Sequence, residues 1–204
     1  MRLQTVRFKT LNVCLEQLET FIRNGSHLLT GKAFKLFGGL RSRELLANWL
    51  TCVAVNSTVQ SDRLTFTSDP TGGDGIVVDT MTGETWFTEH VIVPPPRKKE
   101  KASIEDRILA AVSAKQAKGG KAYAQGKTLI VFLEDGGGTW FPNAAAKKLP
   151  PIDFEAVWVV GLQPAKDGNY SYGVTRLDLT LGYCPTWLVH IASDFKTWRV
   201  EPKN

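Results

Sequence analysis

The pattern of helical and extended segments along the chain predicts an α/β fold, with a mixed central β-sheet flanked by helices. Three observations carry this. Apolar residues recur at helical spacing in TLNVCLEQLETFIR (10–23) and RSRELLANWLTCVAV (41–55). Three short β-rich runs bounded by turn residues follow at 64–69, 75–79 and 85–93. A further helical stretch then leads into the apolar run KTLIVFLED (127–135), and a strand reached through such a crossover enters its sheet parallel.

Each element has a local cause. The first helix places Leu11, Leu15, Leu18 and Ile22 on one side and stops at Asn24-Gly25. GIVVD and TWFTEHVIV flank TMTG, which reads as a hairpin, and Pro94-Pro95-Pro96 ends the second of these strands. RKKEK (97–101) is a charged linker. Ser103 with Asp106 three residues on begins a helix over 104–118, closed by Gly119-Gly120. A short helix over 143–149, a buried strand at 154–163 and two strand-like runs at 172–180 and 186–191 complete the chain. The reading is one domain: an N-terminal helical extension (1–40), a core (41–135) and a C-terminal sheet extension (136–204).

Composition bounds the function. With 43% hydrophobic and 22% charged residues and six Trp, the chain is globular rather than disordered. No apolar run approaches the roughly 20 residues of a bilayer span, and MRLQTVRFKT lacks the apolar stretch of a secretory signal. Three widely spaced cysteines with no CxxC pair suit reduced thiols, so a cytoplasmic location is expected and a membrane partner is not. No GxSxG elbow supports serine-hydrolase chemistry, and GGKAYAQGK (119–127) lacks the spacing of a nucleotide-binding P-loop.

The net charge of +5 is unevenly laid out. Leu64 to Pro96 holds five carboxylates (Asp69, Asp74, Asp79, Glu84, Glu89) and no Lys or Arg; Arg97 to Thr128 sets nine basic residues against three acidic ones. An acidic stretch before a basic one suits a metal site beside a phosphate-binding surface, though a turn-rich hairpin before a solvated helix gives the same pattern. If TMTG is a four-residue loop, paired positions sum to 163 and Asp74 falls opposite Glu89. Cross-strand neighbours share a face about 5 Å apart. Two carboxylates so close repel unless a cation lies between them or one keeps its proton, and hard oxygen ligands suit Mg²⁺ or Mn²⁺. Ile76, Val78, Phe87 and Val91 share that face, while His90 points to the other and reads as structural. Asp69 and Asp79 read as turn residues.

The order helix–strand–hairpin–helix–strand, with DPTGGDGIVVD and TEHV at its centre, resembles the PD-(D/E)XK superfamily of restriction-endonuclease-like nucleases over roughly residues 41–135. The resemblance implies an αβββαβ core, metal-dependent hydrolysis of DNA in restriction, defence or repair, and a homodimer where both strands are cut. Carried over by position, Asp74 and Glu89 are the metal ligands and Glu44 is the assisting acid on the first core helix. The family's lysine two residues after the Glu is here Val91. Lys115 continues the apolar row Ile104, Ile108, Ala111 and Val112, which turns it toward the sheet and makes it the candidate for a lysine relocated to the helix. Lys118, Lys121 and Lys127 are the candidate nucleic-acid contacts. The alternative is a non-catalytic nucleic-acid- or protein-binding domain on the same fold, which Val91 and a partner surface of Trp140, Trp158, Trp187 and Trp198 would favour.

Overall fold

The computed structural model describes residues 10–26, 28, 33, 35–96, 101–134, 138–166 and 169–203. Helix α1 (Leu11–Arg23) is capped by the Thr10 side chain and buries the four apolar residues expected of it, together with Cys14. After a short 3₁₀ turn (Lys35–Phe37), α2 (Ser42–Val59) is buried on nearly every side, which is why its sequence reads as apolar rather than amphipathic. Three strands follow: β1 (Leu64–Thr67), β2 (Ile76–Asp79) and β3 (Thr85–Val93). Helix α3 (Ile104–Ala124) carries the chain over to β4 (Lys127–Leu133). Helix α4 (Pro142–Lys148) and strands β5 (Ala156–Lys166), β6 (Asn169–Arg176), β7 (Thr186–Ile191) and β8 (Trp198–Pro202) complete the described elements.

The eight strands of the described residues form one continuous mixed sheet in sequence order. β1, β2 and β3 are antiparallel, β3–β4 and β4–β5 are parallel, and β5 to β8 are antiparallel again. The hairpin register is the one the turn predicts, with Ile76 opposite Phe87 and Val78 opposite Thr85. Alternation along the strands divides two cores. On one face, Ile130, Phe132, Trp158, Val160, Val174 and Val189 pack under α1 and α2. On the other, Leu129, Val131, Leu133, Val157 and Val159 pack under α3 and α4, met by Ile108 and Val112. Each fully buried Leu, Ile or Val contributes about 1.5–3 kcal/mol of transfer free energy, so the two-sided sheet is the main source of stability.

Several boundaries differ from the sequence reading. The helix over 104–118 does not end at Gly119-Gly120: Gly120 takes φ 63° and ψ −165°, the axis breaks there, and one more turn runs to Ala124. Strand β6 covers 169–176 rather than 172–180, because Asp178 accepts from the Thr180 amide and turns the chain. Strand β8 is an addition; its short WRVEP run is half exposed at a sheet edge and carries little periodicity. The linker over 97–101 lies, apart from Lys101, outside the described residues, as do positions 135–137 of the EDGGGTW turn. Cys14, Cys52 and Cys184 are buried and form no disulfide among the described residues. Among the described residues no helix is long and apolar enough to cross a membrane.

Candidate active site

The hairpin register carries the candidate site. Thr88 N–H donates to Gly75 O at 2.8 Å, which extends the pairing one step past the end of β2 and leaves Asp74 beside Glu89. Gly75 has φ +145°, and a Cβ there would lie 2.5 Å from Asn48 Nδ2 and 2.9 Å from Thr88 Oγ1. Only glycine lets the strand begin so tightly against α2. Asn48, fully buried on α2, holds the bend by donating from Nδ2 to Asp74 O at 3.1 Å. The Asp74 side chain then turns back and accepts the His90 N–H on Oδ2 at 2.7 Å. Asp74 Oδ1 has no donor among the described residues.

Glu89 points to the α3 face, as strand alternation requires, and is 6% exposed. Its carboxylate is bound from three sides. Lys127, at the start of β4, donates to Oε1 at 2.7 Å. Lys115 Nζ lies 3.1 Å from Oε2, and the Tyr123 hydroxyl donates to the same oxygen. Burial alone would raise the Glu89 pKa, but the hydrogen bonds from Lys127, Tyr123 and Lys115 outweigh it and hold the group below the usual carboxylate range. Burial likewise works against the Lys115 charge and is overcome by Tyr123, Glu89 and Asp74, so its pKa is raised. Burial and the bond to Glu89 push Tyr123 up to about 12.

Lys115 reaches further than Glu89. Its ammonium donates to His90 O at 2.9 Å and stands 3.7 Å from Asp74 Oδ2. One cation is thus surrounded by oxygens from Asp74, Glu89 and the His90 carbonyl. Continuation of the apolar row of α3 is the physical reason: Ile108 and Val112 pack on the sheet with no exposure, and Lys115 follows them one turn on.

The other expected residues are placed as follows. Glu44 is buried in the first turn of α2; it accepts the Arg41 N–H at 2.8 Å, and burial, reinforced by the Asp74 charge, raises its pKa. Lys118 and Lys121 are exposed on the final turns of α3. Lys127 lies in the site, bonded to Glu89, rather than free on the surface. Asp69 and Asp79 are turn residues: Asp69 accepts from Thr71 and Gly73 amides, and Asp79 from those of Met81 and Thr82. His90 faces α2, opposite to Glu89, but its ring is not satisfied. Both nitrogens are buried without a hydrogen bond, and burial together with the Lys115 charge pushes its pKa down to about 3. Trp158 stacks on Trp187, and Trp198 meets Trp49 edge-on, so these rings belong to the core under α1 and α2. Trp140 packs against the opposite core.

Tyr123 and Asn48 escaped the sequence reading, and Lys127 was expected as a nucleic-acid contact rather than as a partner of Glu89. Tyr123 was legible only as a member of a glycine-rich basic loop. The signal for Asn48 was a single amide in the apolar run ELLANWL, four residues after Glu44 and hence on the same side of the helix.

Does this donor set suit a divalent cation? Among the described residues no three Asp, Glu, His or Cys side chains converge on one point. Two carboxylates and a backbone carbonyl do converge, with Asp74 Oδ1 free and its side chain 25% exposed. All are hard oxygens of the kind Mg²⁺ or Mn²⁺ takes alongside water and substrate phosphate. They fit provided that Lys115 withdraws from between them. No protein-family model matches the chain, and no curated protein or solved structure matches it either.

Proposed function

We propose that the chain is a metal-dependent phosphodiesterase acting on nucleic acid, with DNA as the substrate and the restriction-endonuclease-like arrangement as its framework. The observation that carries this reading is the meeting of Lys115 with Asp74 and Glu89, at 3.7 Å and 3.1 Å, from three separate elements. The element order α2-β1-β2-β3-α3-β4 and the parallel pairing of β3 with β4 support the framework.

In this reading Asp74, Glu89 and the His90 carbonyl would hold Mg²⁺ or Mn²⁺, which would supply a lowered water pKa and charge stabilisation on the departing oxygen. The chain's own residues do the rest. Asn48 and the His90 N–H fix Asp74, one at its backbone carbonyl and the other at Oδ2. Lys127 and Tyr123 keep Glu89 ionised and oriented. Lys115, moved off the carboxylates, presents N–H donors and positive charge to the scissile phosphate and orients the attacking water. Glu44, which closes the capping box of α2 with Arg41, would assist as the acid on the first core helix through its charge beside Asp74. Lys118 and Lys121, exposed on the same helix, hold the phosphate backbone.

The test is nicking and cleavage of supercoiled and linear DNA with Mg²⁺ or Mn²⁺ by the wild type, Asp74→Ala and Glu89→Ala. Metal-dependent cleavage lost in both variants is the expected result. One observation favours a second reading. Both Glu89 oxygens are already taken by Lys127, Tyr123 and Lys115, which is what a domain that retained the fold for binding alone would show. Absence of cleavage together with no metal-induced rise in Tm would select that reading.

A further inference from the structure

On the face of the sheet opposite Glu89 lies a cavity of about 350 Å³, between the C-terminal half of α2 and the end of the sheet where β1, β3, β4 and β5 begin and β2 and β6 finish. That volume is at the lower end for small-molecule sites. Trp86 and Trp158 contribute its aromatic surface, and Val55, Val77 and Ala156 add aliphatic surface. Trp158 is held in place by stacking on Trp187, ring centroids 5.7 Å apart, so its indole is a fixed surface rather than a mobile one. Trp86 is only partly buried.

The polar groups of the wall narrow the occupant. Arg63 is paired with Asp79, Nε to Oδ2 at 2.6 Å. Arg176 is paired with Asp178 at 3.2 Å, and Glu155 accepts the Gly126 amide at 3.3 Å. Every charge in the lining therefore already has a partner within the protein, and a charged guest would have to break one of these pairs. Thr88 adds to the wall, but its hydroxyl is buried on the side of Gly75 and Asn48 rather than open to the cavity, so the wall offers a guest aromatic and aliphatic surface and no unpaired charge. The guanidiniums of Arg63 and Arg176, 37% and 45% exposed, keep N–H donors toward solvent at the rim.

We propose that this cavity binds a nucleobase: a neutral, planar ring with donors and acceptors on its edge, lodged against the two indoles, with any attached phosphate left outside beside Arg63 and Arg176. A saturated lipid chain would make no use of the aromatic surface or of the two guanidiniums at the rim. The base arrives either as a free nucleoside or as an unpaired residue of single-stranded nucleic acid; in a duplex its edge is engaged and its faces are stacked. This site is independent of the carboxylates and would stand if the chain cut nothing.

The experiment follows the indole N–H signals of the six tryptophans by NMR. The chain is titrated with adenosine, guanosine, cytidine and thymidine, with a short single-stranded oligonucleotide and with its blunt duplex. Shifts of the Trp86 and Trp158 signals with a nucleoside, or with the single strand and not the duplex, are expected. Response to nucleosides alone identifies a free nucleoside as the source, and response to the strand alone identifies an unpaired residue of a polymer. Val59→Trp fills the cavity from a position that is 48% exposed and so leaves the fold intact; it is expected to weaken binding about tenfold or more. Ala156→Leu is the second blocking variant. The proposal is overturned if neither nucleosides nor single strand move the two signals, if the duplex moves them equally well, or if a folded blocking variant binds as the wild type does.

Discussion

The Lys115 ammonium stands 3.1 Å from Glu89 Oε2, on the side of the carboxylate away from Lys127. A lysine that only neutralised Glu89 would be redundant beside Lys127. Its additional contacts to His90 O and Asp74 tie it to the whole oxygen cluster. Lys115→Met keeps the length and apolar stem while removing the charge. We expect it to lower metal-dependent DNA cleavage by about a hundredfold or more. Its cost in urea unfolding is expected to be about 1–3 kcal/mol, since Glu89 keeps two donors. Wild-type cleavage by this variant would remove Lys115 from the chemistry.

In the proposed metal site Tyr123 and Lys127 orient Glu89 but also occupy its oxygens, so a divalent cation would have to compete with them there. Removing one competitor frees a ligand atom, so the rise in Tm on adding Mn²⁺ is expected to be larger in Tyr123→Phe and in Lys127→Met than in the wild type. Binding linkage fixes the sign: a tighter ligand raises the folded state's stability more at the same concentration. Smaller shifts in both variants would mean that these residues support the metal site rather than oppose it.

How much of this was legible without coordinates follows from the physics of each element. The register of the hairpin was, because a four-residue loop and alternation leave one pairing that keeps Ile76 and Val78 inside. The approach of Lys115 was also legible, since helical periodicity fixes which side a residue takes. Tyr123 was not, because its place depends on a break at Gly120 whose direction no periodicity encodes. A side chain at Gly119 would collide with the Tyr123 ring, so both glycines are needed to fold that last turn back on Glu89. The cavity beside Trp86 was hidden for a different reason. It collects residues from α2 and from six strands, β1 to β6, and only tertiary packing shows that they leave a space.

Gly75→Ala should destabilise the protein by about 1–3 kcal/mol, because φ +145° is costly for alanine and the new methyl meets Asn48 and Thr88. The same substitution moves the segment that carries Asp74. Metal-induced stabilisation should therefore fall together with basal stability, and Asn48→Ala should show the same coupling more weakly through the lost bond to Asp74 O. Thermal unfolding with and without Mn²⁺ measures both; an alanine at position 75 with unchanged Tm would contradict the packing described.

Acid stability isolates another ion pair. Asp79 is fully buried at the end of β2, and the hydrogen bond from Arg63 holds its carboxyl well below the usual carboxylate range against the opposing effect of burial. A depressed folded pKa means that the unfolded chain binds the proton first as pH falls. The charge therefore contributes stability above the ordinary value of 3.8, and that contribution is lost progressively as pH drops below it. Asp79→Asn keeps an oxygen for the Met81 and Thr82 amides but removes the charge. It should be less stable than the wild type at neutral pH and should lose stability less steeply below about pH 4. Urea unfolding across that range gives both slopes; equal slopes would show that the Arg63 pairing does not depress the Asp79 pKa, and that the turn, not the charge, is what Asp79 supplies.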